Sequence, residues 1–141
     1  MNIAFDFGIT NTDIAVENKL ENEFFSFPSK HVDEDFITQI FDSINLNLKK
    51  VKNIAVTGGK SSNLNDEYMG IPVTKINEVD AIGNGVMKLY NTGDEPFVAI
   101  SAGTGTACIY HSEGKFNYLG GISIGGGILQ GLSKHLINNI D

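Results

Sequence analysis

One short pattern occurs twice in this chain and restricts its fold more than any other feature. Ile3-Ala4-Phe5-Asp6-Phe7-Gly8 is an apolar, strand-forming run stopped by a glycine. Val98-Ala99-Ile100-Ser101-Ala102-Gly103 repeats it 95 residues later, and Ile14 falls on Ile109 at the same offset. A duplication of this kind predicts two related lobes, 1–95 and 96–141. The second has room only for the opening of its copy, and is expected to be incomplete.

Within the first copy, the glycine of the first run is followed by the polar turn Thr10-Asn11-Thr12 and a second apolar run, Ile14-Ala15-Val16, which predicts a hairpin with polar atoms at its tip. Phe24, Phe25 and Phe27 predict a third strand, ended by Pro28. Apolar residues at 36, 37, 40, 41, 44 and 48 have helical spacing, with Asp33, Glu34 and Asp35 at the start and Lys49 and Lys50 at the far end, as the helix dipole prefers. Ile54-Ala55-Val56 predicts a fourth strand running into Thr57-Gly58-Gly59, and Ile71-Pro72-Val73 a short further strand. A helix follows from Val79 to Tyr90; Gly83 and Gly85 inside it cost about 1 kcal/mol each relative to alanine, so another backbone is expected to pack close. The second copy adds strands near 106–111 and 115–119, then Gly125-Gly126-Gly127 and a helix with the stripe Ile128, Leu132, Leu136, Ile140.

Composition removes whole classes of function. The 141 residues hold ten Lys+Arg against 17 Asp+Glu, a net charge of −7, with no arginine, which argues against a phosphate-backbone footprint and so against nucleic-acid partners. No apolar run approaches the roughly 18 residues of a membrane span, and one cysteine, Cys108, forms no internal disulfide, so the chain reads as cytoplasmic with no membrane partner. His31, His111 and His135 lack metal-ligand spacing.

The 16 glycines concentrate where phosphate chemistry uses them. In Asp6-Phe7-Gly8-Ile9-Thr10, glycine lets backbone amides approach a phosphate, the Thr10 hydroxyl donates, and the Asp6 carboxylate holds magnesium directly or through water; an ordinary hairpin turn is the plainer reading. Gly103-Thr104-Gly105-Thr106 is the equivalent turn of the second copy, and two such turns suit a grip on one triphosphate from both sides. Gly125, Gly126 and Gly127 put unhindered amides at a positive helix end. Neither a dinucleotide fingerprint nor a P-loop is present. Glu78 and Asp80 open the helix after residue 77, either as dipole-matching acids or, for one of them, as a general base.

Together, Ile-Ala-Phe-Asp-Phe-Gly-Ile-Thr (3–10), Val-Thr-Gly-Gly (56–59), Asn-Glu-Val-Asp-Ala (77–81), Gly-Thr-Gly-Thr (103–106) and Gly-Gly-Ile-Ser-Ile-Gly-Gly-Gly-Ile-Leu-Gln-Gly-Leu (120–132) resemble the type II pantothenate kinase family, within the actin/hexokinase/Hsp70-like superfamily. The resemblance implies an α/β, ribonuclease H-like lobe with a mixed sheet in the order βββαβα, plus the opening hairpin, strand and helix of a second such lobe. It implies an ATP- and Mg2+-dependent kinase, or the N-terminal part of one, acting on pantothenate or a similar hydroxyl compound in the first step of coenzyme A biosynthesis. Glu78 takes the role of base, and Asp6, Gly8, Thr10, Thr12, Gly103, Thr104, Gly105, Thr106, Gly125, Gly126 and Gly127 line the nucleotide phosphates. Asp13 and Tyr118 stand where such kinases commonly carry lysine and arginine, which favours a related sugar or acyl kinase, or an ATPase, as the alternative. A third reading is a non-catalytic lobe. With the adenosine-binding end expected beyond residue 141, the exposed stripe of the last helix predicts self-association, as a homodimer, and little turnover by these 141 residues alone.

Overall fold

The computed structural model describes residues 1–18 and 21–137. It divides into two compact units, Met1–Asn77 and Glu78–Asp141. The helix after residue 77, placed in the first lobe by the sequence repeat, packs on the sheet of the second unit.

The first unit is a six-stranded mixed sheet ordered β3-β2-β1-β4-β6-β5. Its strands are β1 (Asn2–Phe7), β2 (Asn11–Glu17), β3 (Asn22–Pro28), β4 (Asn53–Thr57), β5 (Glu67–Tyr68) and β6 (Ile71–Lys75), with helix α1 (Glu34–Ser43) crossing from β3 to β4. β1 pairs antiparallel with β2 and parallel with β4. Strict alternation builds one core face: Ile3, Phe5 and Phe7 of β1 and Ile14 and Val16 of β2 are buried, and meet Phe36, Ile37, Ile40 and Phe41 of α1. The rings of Phe5 and Phe41 meet edge to face at 5.7 Å. Each such burial contributes about 1.5–3 kcal/mol.

α1 begins where expected, the Asp33 carboxylate capping the Phe36 amide at 2.8 Å. It ends earlier than the periodicity indicates. Asn45 turns left-handed (φ 55°), the Leu46 amide bonds Phe41 O and the Asn45 amide bonds Asp42 O, the paired bonds of a Schellman stop. Lys49 and Lys50 therefore lie in a separate turn, Leu48–Lys50, and no cation sits in the last turn of α1.

The second unit holds α2 (Glu78–Tyr90), an antiparallel three-stranded sheet β7 (Phe97–Ala102), β8 (Thr106–Ser112), β9 (Lys115–Ile122), and α3 (Gly126–Leu136). β7 and β8 lie 95 residues after β1 and β2 at both ends. The pairing slips by one residue, however: Phe5 faces Ile14, whereas Ala99 rather than Ile100 faces Ile109. The second turn is one residue shorter, joining Ala102 to Thr106 where the first joins Phe7 to Thr12. A one-residue slip inverts the strand. Ala99 is buried, and Val98 and Ile100, the counterparts of Ile3 and Phe5, face outward.

The core of this unit is aromatic and small. His111 is fully buried between the rings of Phe97 and Phe116, each at 4.9 Å, and its Nδ1 lies 3.2 Å from Glu95 O. Gly83 of α2 sits on Phe116, whose ring a Cβ would overlap. The close neighbour expected at the α2 glycines is thus a side chain rather than a backbone, and Gly85 has nothing within 4 Å. Ile128, Leu129, Leu132 and Leu136 of α3 are all exposed; Ile140 lies outside the described residues.

Candidate functional site

In the first unit, the β1–β2 turn is braced from beneath. Ser29 donates its hydroxyl to Gly8 O at 2.6 Å and its amide to Thr10 O at 2.9 Å. The hydroxyl of Thr12 lies 3.1 Å from Ser29 Oγ, and Thr12 is completely buried. Since the serine proton is spent on Gly8 O, Thr12 is the donor of that pair. Thr12 therefore braces the turn from inside, a correction to its reading as a phosphate ligand, because a side chain with no accessible surface touches no solute. Gly8 is the turn glycine that the sequence indicates: a Cβ there would stand 2.7 Å from Asn11 O. Ser29 follows the strand-ending Pro28 and carries no motif of its own, so sequence reasoning missed it.

Asp6 is exposed at the carboxyl end of β1, directly across from Asp13 on β2 and from Thr57 on β4. Gly58 closes against it with φ 87°, where a Cβ would stand 2.8 Å from Asp6 Oδ1 and 2.6 Å from Phe7 O. Only glycine meets both demands. The signal for Gly58 was present in Thr57-Gly58-Gly59 directly after an apolar strand. Asp6, Asp13, Phe24, Ser26 and Thr57 line a cavity of about 480 Å³ on the sheet face opposite α1. Thr57 Oγ1 is buried, with no hydrogen-bond partner among the described residues. Among the described residues no three His, Cys, Asp or Glu side chains form a metal cage. The exposed Asp6 carboxylate is the kind of single hard-oxygen ligand with which Mg2+ is bound when water and phosphate complete its shell, so Asp6 fits that ion.

In the second unit, the structure brings the Gly103–Thr106 turn and the triple glycine together. The Gly127 amide donates to Gly103 O at 3.1 Å, the Ile128 amide to Thr104 O at 3.4 Å, and Thr106 Oγ1 to Ile124 O at 2.8 Å. Gly125 caps α3 without a side-chain bond, and a Cβ there would stand 2.4 Å from Gly105 O and 2.7 Å from Gly103 O. One of the helix-end amides expected to face an anion, that of Gly127, is thus used together with the Ile128 amide to seat α3 on the turn. The triple glycine serves contact first, and Gly126, open but for Gly103 O at 3.7 Å, remains at the mouth of the junction.

Glu78 is the first residue of α2 and exposed, as is Asp80. Tyr118 Oη lies over Gly121, where a Cβ would meet both it and Thr106 O at 2.4 Å. The phenol thus stands beside the Thr106 end of β8, next to the Gly103–Thr106 turn. Asp6, Gly8, Thr10 and Thr12 belong to the first unit, and Glu78, Gly103–Thr106 and Gly125–Gly127 to the second.

No family model matches the chain. Type II pantothenate kinase of Bacillus cereus (strain G9842) is 34% identical over 143 residues, covering 99% of this chain and 50% of that protein. Type II pantothenate kinase of Staphylococcus aureus (strain USA300) is 28% identical, with the same coverage. Among solved structures, the activator of the 2-hydroxyisocaproyl-CoA dehydratase from Clostridium difficile with bound ADPNP superposes with a TM-score of 0.69 at 15% identity, covering 99% of this chain and 53% of its own. A ROK family glucokinase from Streptomyces griseus in complex with glucose and AMPPNP gives 0.59 at 15% identity, covering 88% and 48%. Among the described residues no helix is long and apolar enough to cross a membrane. The chain spans about half the length of the curated relatives it matches, and over that half it is similar in sequence to type II pantothenate kinases and shares the actin-like ATPase fold.

Proposed function

We propose that this chain carries phosphate-binding and catalytic elements of an ATP-dependent small-molecule kinase, with pantothenate as the acceptor and coenzyme A biosynthesis as its setting. The observation that carries this reading is the pair of braced glycine turns at the same point of two related hairpins, one with Asp6 at its edge and one seated on α3. In the reaction, an acceptor hydroxyl oxygen forms a bond to the γ-phosphorus, the bond to the ADP oxygen breaks, and the Glu78 carboxylate takes the hydroxyl proton. Asp6 would hold Mg2+, which when bound neutralises charge on the phosphates. Amides at Gly8, Gly103, Gly105 and Gly126 and the hydroxyls of Thr10 and Thr104 orient them, while the Thr106 hydroxyl, spent on Ile124 O, holds the turn instead. The protein acts in the cytoplasm and self-associates as a homodimer.

A second reading, a related sugar or acyl kinase, draws on Asp13 opposite Asp6 and the phenol of Tyr118 beside Thr106, neither of which supplies a cation for a carboxylate substrate. Coupled ADP release with Mg-ATP, in a protein spanning the full length of the relatives, tests both. Turnover that depends on pantothenate and falls at least a hundredfold in Glu78→Gln is expected. Turnover indifferent to pantothenate but dependent on a sugar selects the second reading, and an unaffected Glu78→Gln variant removes Glu78 as the base.

A further inference from the structure

Asp6 and Asp13 face each other across β1 and β2, and both are exposed, so a polyphosphate at the first turn meets two carboxylates. The 141 residues hold no arginine to offset them, and the lysines of the first unit are separated by their placement. Lys49, Lys50 and Lys52 precede β4, which runs parallel to β1, and so stand at the far end of that strand, roughly 16 Å from Thr57. Lys75 shares its register with buried Val56, on the α1 face, and pairs with Asp66 at 3.2 Å. Lys30 donates to Gln39 of α1 at 3.4 Å and lies 5.9 Å over the ring of Phe36. Lys60 is placed differently. β4 ends at Thr57, the register partner of Asp6, and Gly58 after it lies against the Asp6 carboxylate, its Cβ position 2.8 Å from Oδ1. From Gly58 the chain turns at once: Gly58 O accepts the Ser61 amide at 3.0 Å and the Ser61 hydroxyl at 2.7 Å. Lys60, at φ −93° and ψ −6°, has the backbone of the third residue of a type I turn. A turn closed in this way keeps its first and last Cα atoms within about 7 Å. Lys60 is thereby anchored within one short turn of the Asp6 carboxylate, a distance that the flexible four-carbon stem of a lysine spans. Every contact in this chain of anchors lies between residues 6 and 61, inside the first unit.

We propose that Lys60 is a phosphate-binding residue of the kinase site, supplying beside Asp6 the positive charge that offsets Asp13. The inference rests on the kinase reading above and adds to it a side chain outside both glycine turns. Asp6 stands between two neighbours of opposite sign: Asp13 flanks it on the β2 side, and the Gly58–Ser61 turn with Lys60 flanks it on the β4 side. The field across the end of β1 therefore draws an anion toward β4 and away from β2. An ammonium is a compact point charge with three donors, which suits phosphate oxygens whose exact placement changes as the phosphoryl group moves. The two bonds from Ser61 to Gly58 O fix the backbone from which that charge is carried.

Calorimetric titration with Mg-ATP, in a protein spanning the full length of the relatives, tests the proposal on the wild type, Lys60→Met, Lys60→Arg and the double variant Lys60→Met with Asp13→Lys. Lys60→Met should bind about tenfold more weakly, and Lys60→Arg within about threefold of the wild type. Asp13→Lys, which puts an ammonium directly across from Asp6, should recover most of the loss, a rescue from another strand that a merely structural role of Lys60 would not allow. In the wild type, labelling of amines by an N-hydroxysuccinimide ester, read by mass spectrometry, should show Lys60 protected by Mg-ATP and Lys52 unprotected, a readout that stands even if Lys60→Met fails to fold. A wild type with no affinity for Mg-ATP overturns the kinase reading and Lys60 with it. Binding unchanged in Lys60→Met, a loss that neither Lys60→Arg nor Asp13→Lys recovers, or labelling of Lys60 that ignores Mg-ATP leaves the kinase reading standing and overturns Lys60 as a phosphate ligand.

Discussion

Gly125 and Gly126 are adjacent, chemically identical and placed in opposite surroundings, so alanine at each should act in opposite directions. At Gly125 the added carbon would stand 2.4 Å from Gly105 O and 2.7 Å from Gly103 O, backbone atoms with no rotamer to escape into. Restoring an ordinary contact of about 3.4 Å means moving the turn away from α3 by roughly 1 Å. The bonds from the Gly127 and Ile128 amides, already 3.1 and 3.4 Å, would both be lost at that displacement. Two bonds at about 0.5–1.5 kcal/mol each, with about 1 kcal/mol or more of overpacking, give a loss of about 2–4 kcal/mol. α3 buries no side chain of its own, so these bonds hold much of its order. At Gly126 the nearest atom is 3.7 Å away, and alanine gains up to about 1 kcal/mol of helix propensity. Amide exchange over residues 126–136, followed by mass spectrometry, should show protection erased in Gly125→Ala and kept or raised in Gly126→Ala. Equal protection in the two variants would refute the seating of α3 on the turn.

The same contrast applies within α2, where Gly83→Ala should lower the urea midpoint by the equivalent of about 1–3 kcal/mol because the new methyl overlaps the Phe116 ring, while Gly85→Ala, with nothing within 4 Å, should raise it by up to about 1 kcal/mol. Beneath the first turn, Ser29→Ala should cost more than Thr12→Val, about 1–3 against about 0.5–1.5 kcal/mol in denaturant melts, because removing the serine strands a buried hydroxyl and Gly8 O together; the reverse order would mean that Thr12 is not the donor. Gly58→Ala combines a left-handed φ of 87° with contacts of 2.6 and 2.8 Å and should destabilise the first unit by about 2 kcal/mol or more, with a thermal midpoint unchanged from wild type as the contrary result.

Most of the first unit was legible because it buries one face of each strand. Alternation in β1 and β2 and the helical spacing of α1 each point to a single packing, and the core cluster contains their buried residues, with Phe25 and Phe27 of β3 packed against it and Phe24 exposed. The end of α1 was not legible, since apolar Ile44 and Leu48 continue the period while a left-handed Asn45 between them stops the helix. β5 escaped notice because two residues carry no period at all. Among the site residues, glycines were located well and their duties less so. Gly8 and Gly103 mark turns as their sequence context indicates, whereas Gly125 and Gly127 pack and bond α3 to a neighbouring loop, a tertiary relation that no local window contains.

The repeat itself shows where sequence similarity and geometry part. Aligned residue for residue, the two hairpins share an offset, and their strands begin and end together. Yet a turn shorter by one residue moves the pairing from Phe5–Ile14 to Ala99–Ile109 and turns β7 over. Period-two structure makes a slip of one residue as large as a slip gets. Asp6, on the open face of β1, consequently has its aligned counterpart Ser101 on the same side of β7 as buried Ala99. The carboxylate at the first glycine turn is therefore not duplicated in chemistry or in facing, and the two turns, alike in sequence, are suited to different work: the first presents an acid at its edge, and the second is locked to a helix.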